Sequence, residues 1–442
     1  MNKKIIITSL LTLVVGFLIG FLLLGSYLTK DLEFYLVGGT TKIGIGNTYK
    51  EKGFVCNIKG EDYSEEVLIT YYNDANEVVT NISTDKISTY YIEYKIETSK
   101  ITASIIRVVN VVEMEDLEIN FMMLGNSSTG DSIYIKAGET DILVDAGSLQ
   151  SSAKSIKDYI TDSNSDLHSY VEDNKLEYVI ATHADKDHIA AFVGTKEEKG
   201  ILKDNELDIE TIIEFPRTDK TSSIYNEYRK AVNELKAKGT NVYTALDCYN
   251  NQNGASRVIE VAAGIEIEIL YNYYYEHETK DENNYSVCFM LRRGEEKYLF
   301  TGDLEEKGEE YLIQYNKDIL DEVYLFKLGH HGSPTSSTQK LLDIIKPKVV
   351  VATCVAFSGQ YSDNNDNTFP ATAVVNRLAA LKTVEHFYVP CVTSDNKDGY
   401  EPANGNIVVK ANSNGTYVEC SETNEDFFNF EIFKKYRSWN VN

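Results

Sequence analysis

Hydrophobic positions along the chain change their period twice. The run 5–28, IIITSLLTLVVGFLIGFLLLGSYL, is continuously apolar and uncharged, long enough to cross about 30 Å of hydrocarbon as one helix. Lys3 and Lys4 precede it, while Lys30, Asp31 and Glu33 follow. That bias predicts a single-pass anchor in the cell membrane with a cytoplasmic N-terminus and an extracytoplasmic remainder. Cleavage as a secretory signal is the alternative, with only Gly25 and Ser26 to offer a small-residue site. Over 32–113 the period becomes two. In TYYIEYKIE, Tyr90, Ile92, Tyr94 and Ile96 alternate with Thr89, Tyr91, Glu93 and Lys95, and VLITYYN and SIIRVVNVV are built likewise. Such segments are half-buried strands, and the turn residues between them predict a small antiparallel sandwich. From Leu117 strands alternate with helices: LEYVIAT, GIEIEIL, EKYLFTG and KVVVATC as strands, SSIYNEYRKAVNELKAKG, SSTQKLLDIIK and TAVVNRLAALK as helices. Alternation of this kind defines an α/β domain, here large enough for two packed sheets covered by helices. The aromatic tail 423–442, with FFNFEIFKKYRSW, is expected to dock on that domain.

Composition narrows the function. With 43% hydrophobic and 11% aromatic residues the chain is globular, which excludes wholesale disorder and a multi-span transporter. Its 43 Lys+Arg against 68 Asp+Glu leave a net charge of −25, which opposes a stable nucleic-acid complex. The six cysteines lie far apart without a C-x-x-C pair and are expected to be buried apolar residues.

Candidate chemistry gathers behind the apolar strands. His183, Asp185, Asp187 and His188 form HADKDH directly after LEYVIAT. Imidazoles mixed with carboxylates are a ligand set that zinc, manganese or iron accepts. Asp303 in YLFTGDL and the pair His330-His331 in FKLGHHGSPTSS again follow strands, so three loops could meet on one rim. A carboxylate closing a buried strand is costly unless paired, and bridging two cations would compensate it. Lys327, Ser333 and Thr335 could hold a phosphate, while Ser336-Ser337 could equally cap the helix QKLLDIIK.

Two resemblances extend this reading. IGIGNTYKEKGF and STYYIEYKIETSKITASIIRVVNVV, within 32–113, resemble bacterial immunoglobulin-like surface modules, which implies a rigid spacer. Residues 117–422 resemble the metallo-β-lactamase superfamily through GDSIYIK, ILVDAG, THADKDHIAAF, NNYSVCFML, YLFTGDLEEKGEEYL and LFKLGHHGSPTSS, and most of all the hydrolase domain of the ComEC competence family. The resemblance implies a four-layer αββα sandwich holding two divalent metal ions, zinc first, with manganese or iron as alternatives. His183 and Asp185 would face one metal, Asp187 and His188 the second, and Asp303 would bridge them. Of the late pair, His330, the histidine nearer the strand, or else His331 would be a further ligand. Asp145 would orient the HADKDH loop, with Asp131, Asn284, Ser286, Lys327 and Ser333 as further supporting or substrate-contacting residues.

The chain departs from the superfamily pattern at several points. Asp185 stands where most members carry His, which makes the site harder. NNYS fills the interval where a middle histidine is usual; His277 nearby could substitute, but a lone histidine in a tyrosine-rich loop is more often a solvated residue. Phe369-Pro370 replaces the competence family's His-Pro.

The implied activity is hydrolysis by a metal-activated hydroxide, with Asp187 and Asp303 as catalytic residues and phosphodiesters as substrates. Wall polymers, phospholipid headgroups and nucleic acids all present such bonds. The alternatives are amide or ester (lactam-like) substrates, and a surface binding or adhesion protein carrying an inactive hydrolase domain.

Overall fold

The computed structural model describes residues 32–37, 41–99, 101–394 and 399–439, with the backbone of 5–6 and 26–29. The expected membrane span at 5–28 otherwise lies outside the described residues. Among the described residues no helix is long and apolar enough to cross a membrane. The chain divides into a first unit running to Glu115 with 262–264, and a second of 116–261 with 265–442.

The first unit is all β. Ser88–Glu97 and Ile101–Val112 pair antiparallel, Leu68–Tyr72 adds antiparallel to the former, and Thr41–Gly44 lies parallel to the latter. A second sheet pairs Leu32–Leu36 with Phe54–Ile58. The period-two residues Tyr90, Ile92, Tyr94 and Ile96 share one core with Leu32, Phe34 and Cys56 of the second sheet. Arg107 crosses that core buried, donating to the carbonyls of Val37 (3.0 Å) and Gly53 (2.7 Å) and pairing with Glu51 at 3.0 Å.

The second unit is mixed α/β, built on two large sheets. The eight-stranded sheet runs Asn241–Thr244, Asp208–Glu214, Lys175–Ala181, Thr140–Val144, Ile133–Ala137, Leu117–Phe121, Ile407–Asn412, Gly415–Cys420. Its first four strands are parallel, as expected of apolar runs separated by helices. In the seven-stranded sheet Glu296–Phe300, Leu325–Lys327, Val349–Val351 and His386–Tyr388 are parallel neighbours. Phe121 of one sheet stacks on Phe300 of the other at 6.4 Å, and Phe300 on Phe289 at 4.7 Å. Each such ring contributes about 1.5–3 kcal/mol by leaving water.

Helices Glu306–Tyr315, Gln339–Ile345 and Thr372–Ala380 bury Leu312, Leu341 and Val374 in one cluster with Met290, Phe326, Val350 and Phe387 of the seven-stranded sheet. The helix expected over 222–239 spans Ser223–Lys238. The Ser222 side chain caps it by accepting from the Tyr225 amide, and Gly239 ends it at φ 115°, a conformation that suits glycine. The tail does dock: Phe427 and Phe433 are fully buried in the same cluster.

Candidate metal centre

The parallel strands of both sheets end at one edge, and the chemistry-bearing residues lie just past those ends. Asp145 follows Thr140–Val144, HADKDH follows Lys175–Ala181, Asp303 follows Glu296–Phe300, and His331 follows Leu325–Lys327. Glycine makes the packing possible. A Cβ on Gly147 would sit 1.6 Å from the Asp187 carbonyl oxygen, and one on Gly130 2.6 Å from it. Without side chains these residues let the Asp131 amide donate to the Asp187 carbonyl (3.0 Å) and the Ala146 amide to that of His188 (2.7 Å). Asp145, His330 and His331 each adopt a left-handed backbone, with φ of 57°, 48° and 55°. Such positions are costly for residues with a Cβ and collect at functional sites.

The buried part is tightly organised. His188 Nδ1 lies 2.7 Å from Asp145 Oδ2, and its Nε2 lies 3.1 Å from Asp303 Oδ2. Asp145 is itself held by the Thr182 amide and hydroxyl, both at 2.7 Å. His331 Nδ1 faces the Thr353 carbonyl at 2.9 Å and Asp131 at 3.1 Å, and its Nε2 lies 3.1 Å from Asp303 Oδ2. Beneath them Lys327 pairs with Asp131 and reaches Asp303 Oδ1 at 3.2 Å.

Burial opposes the charged form of every group, so the partners decide each state. It pushes His183 down to about 3, with His188 beside it adding to the shift, so this ring is neutral. For His188 burial is outweighed by Asp303 and Asp145, and for His331 by Asp303 and Asp131. Both imidazoles are raised well above their ordinary value. Asp303 is held well below the carboxylate range, since His188, His331 and Lys327 together overcome its burial.

This donor set fits divalent cations. The Nε2 atom of His183 is buried and makes no hydrogen bond, while that of His331 also makes none but lies 3.1 Å from Asp303 Oδ2. Orphaned buried nitrogens are expensive, and a cation is what would satisfy them. Ligand atoms of His183, His188 and Asp303 lie within 4.8 Å of one another, as do those of Asp187, His188 and His331, and those of Asp131, Asp303 and His331.

The remaining residues named from the sequence fall around this cluster. Asp187 is partly exposed, 3.7 Å from His331 Nε2. Asp185 stands at the rim, paired with Lys220 and 3.7 Å from His183 Nε2. Of the late histidines, His331 is fully buried in the cluster, whereas His330 turns its Nδ1 to Glu305 at 3.4 Å and keeps its Nε2 4.0 Å from Asp303. Ser286 Oγ accepts from the Asp303 amide (3.0 Å), and Asn284 Oδ1 from that of Glu305 (3.3 Å).

Lys327 and Ser333, expected as supporting or substrate-contacting residues, both turn to protein partners. Lys327 is 1% exposed and committed to carboxylates, so it lies under the ligands rather than facing a phosphate. Ser333 shares its hydroxyl with Thr335, which donates on to Glu305 (2.9 Å). The helix cap at 339–345 is Thr338, one residue past the serine pair. His277 stacks on Tyr273 at 3.7 Å and belongs to none of these ligand groups.

Several participants were not read from the sequence. Thr182 orients Asp145. Tyr361 donates to Asp187 Oδ2 at 2.6 Å and stacks on Phe369, a position the sequence does mark, whose ring in turn stacks on His331 at 6.2 Å. Lys220 holds Asp185, and Thr353 holds Asp131. Thr182 adjoins the HADKDH motif and could have been found there. The others come from distant loops with no local signal.

The class follows from fold and site together: residues 276–354, carrying Asp303, Lys327, His330 and His331, match the metallo-beta-lactamase superfamily model. Within that class the chain is similar to competence protein ComA of Neisseria gonorrhoeae, 37% identical over 106 residues, 24% of this chain and 14% of that protein. Recombination protein 2 of Haemophilus influenzae is 30% identical over 105 residues, 24% of this chain and 12% of that protein. ComE operon protein 3 of Bacillus subtilis is 24% identical over 184 residues, 40% of this chain and 20% of that protein. This chain therefore carries a metallo-β-lactamase domain related to those of the competence proteins. It spans no more than 20% of the length of these curated relatives.

Proposed function

We propose that the chain is a membrane-anchored, extracytoplasmic metal-dependent hydrolase. On this reading its second unit is a four-layer αββα sandwich that cleaves phosphodiesters with two divalent cations, zinc first, manganese or iron otherwise. The first unit is an immunoglobulin-like spacer. The observation that carries the reading is the gathering of three buried imidazoles, His183, His188 and His331, around one carboxylate, Asp303, with the His183 Nε2 left without a hydrogen bond. His183, Asp187, His188, Asp303 and His331 would hold the cations. Bound divalent cations supply Lewis acidity and make water nucleophilic near neutral pH.

The chain's own residues provide placement. Asp145 fixes the His188 ring so that Nε2 faces Asp303. Lys327 keeps Asp303 and Asp131 ionised inside the protein. Tyr361 orients Asp187 at the rim, where a proton can be passed to solvent, and Phe369 shields His331. The kinship with competence proteins supports phosphodiesters over carbonyl substrates. The charge of −25 favours a wall polymer or phospholipid headgroup over a stably held nucleic acid.

The test is hydrolysis of an aryl phosphodiester by the purified chain, stripped by chelation and then supplied with zinc or manganese. Turnover should return with metal and fall by more than about a hundredfold in Asp303→Asn. Verified metal binding without turnover on the diester would overturn the phosphodiester assignment and leave carbonyl hydrolysis or a binding role.

A further inference from the structure

The tail that the sequence left without a role ends in a buried cation. Arg437 lies just past the helix Glu431–Tyr436 and is 5% exposed. Among the described residues no carboxylate pairs with it. Its guanidinium instead donates from Nε to the Pro370 carbonyl (2.9 Å), and from Nη2 to the carbonyls of Asn365 (2.9 Å) and Thr368 (2.7 Å) and to the Thr368 hydroxyl (3.1 Å). Nη1 donates to the Tyr436 carbonyl at 2.9 Å, and the guanidinium carbon lies 5.1 Å from the centre of the Phe357 ring.

All of these contacts except that to Tyr436 fall on one loop, 357–370, and they grip both of its ends. Phe357 begins the loop in a left-handed conformation (φ 62°), and its amide donates to the Phe369 carbonyl at 2.7 Å, closing the root. The next residue after Pro370 ties the loop to the histidine turn, through the Ala371 amide on the Gly332 carbonyl at 2.8 Å. At its tip Tyr361 donates to Asp187 and stacks on Phe369 at 5.3 Å, while Phe369 lies against His331. A buried guanidinium solvated by carbonyls and one hydroxyl is stable only while those oxygens point at it. The conformation of the loop and the docking of the tail are thus one equilibrium.

We propose that Arg437 is a positioning residue for the metal centre: by bonding the carbonyls at the root of the 357–370 loop, it sets where Tyr361 meets Asp187 and Phe369 meets His331. Its effect on turnover rests on the hydrolase reading above, but its effect on the loop does not.

The experiment compares the full chain with Arg437→Met, which keeps the bulk and removes the donors, and Arg437→Lys, which keeps the charge. Amide hydrogen exchange is followed peptide by peptide. In Arg437→Met, exchange across 357–370 should accelerate at least about tenfold while the strands 175–181 and 296–300 keep wild-type rates. Arg437→Lys should recover part of the protection, and zinc content should stay at the wild-type level in both. On the aryl phosphodiester, Arg437→Met should lower kcat about tenfold with little change in KM. Tyr361→Phe should do the same, and the double variant should lose no more than either alone.

Unchanged exchange in 357–370 would overturn the proposal. So would acceleration spread evenly over both sheets in the two Arg437 variants, which is the mark of a merely structural residue. If the wild-type chain hydrolyses no diester, the phosphodiester reading fails, and the exchange pattern alone still decides for or against Arg437.

Discussion

His188 and Asp185 belong to one short motif, yet different physics holds each in place. His188 is fully buried, with Asp145 behind it and Asp303 in front, and Asp145 is itself held by two donors from Thr182. Asp185 keeps 26% of its side chain exposed and is held by Lys220, a half-exposed cation on a loop. In the interior a charge is kept only by fixed partners, so the protein determines the place of His188 before any cation binds. At the rim water competes with the partner, and an ion pair there is worth about 0–1 kcal/mol. The cluster thus has a rigid floor and an exchangeable rim. His331 with Lys327 belongs to the floor, and Asp185 with Lys220 to the rim.

The largest effect should come from the floor. Replacing Lys327 with Met leaves Asp131 and Asp303 buried without their cation, which should destabilise the metal-free protein by about 3–5 kcal/mol. Denaturant titration measures this. Added zinc should recover much of the loss, because it supplies the missing positive charge. A Met variant as stable as wild type without metal would show that the floor is not organised around Lys327.

Next in size, Asp145→Asn should weaken zinc binding about 10–100-fold in chelator competition, since the amide no longer fixes the His188 ring as an anion does. An unaltered affinity would mean that packing alone orients His188.

Protonation gives a third test. His188 and His331 are raised well above 6.5 by their carboxylates and are charged at neutral pH without metal, whereas His183 is already neutral. Ligating nitrogens must give up their protons, so zinc binding near pH 7 should release about two protons and tighten as pH rises. Calorimetry in buffers of different ionisation enthalpy counts them. Release near zero would place neither charged imidazole among the ligands.

The floor was largely legible in the sequence, and the rim was not. His183, Asp303 and His331 each lie just past an apolar strand and His188 lies in the first turn of the helix that follows one, so local pattern named them, and glycines such as Gly130 and Gly147 mark where backbones touch. The pattern points first to His330, the nearer to the strand, whereas His331 is the one buried in the cluster, because two successive left-handed residues turn the pair. Lys327 lies on a strand whose residues are all buried, so a cation placed there from sequence looked like a substrate contact rather than a counter-ion. Tyr361, Lys220 and Arg437 are far from the motifs in sequence. They enter only through loop contacts that no short-range period encodes.

The smallest effect should appear at the rim, in a direction that separates two roles for Asp185. Lys220→Ala frees the carboxylate and removes a positive charge beside the cluster. If Asp185 can turn to a cation beside His183, 3.7 Å away, zinc affinity should rise about threefold at low ionic strength. The gain should fade with added salt, as expected for an exposed pair. Asp185→Asn should then lower affinity, and Lys220→Ala should add nothing in that background. A Lys220→Ala variant with wild-type affinity, joined by an Asp185→Asn variant that also binds normally, would take Asp185 out of the metal site. Asp185 would then be left as the residue whose backbone begins the helix Lys186–Val193, with its side chain paired to Lys220.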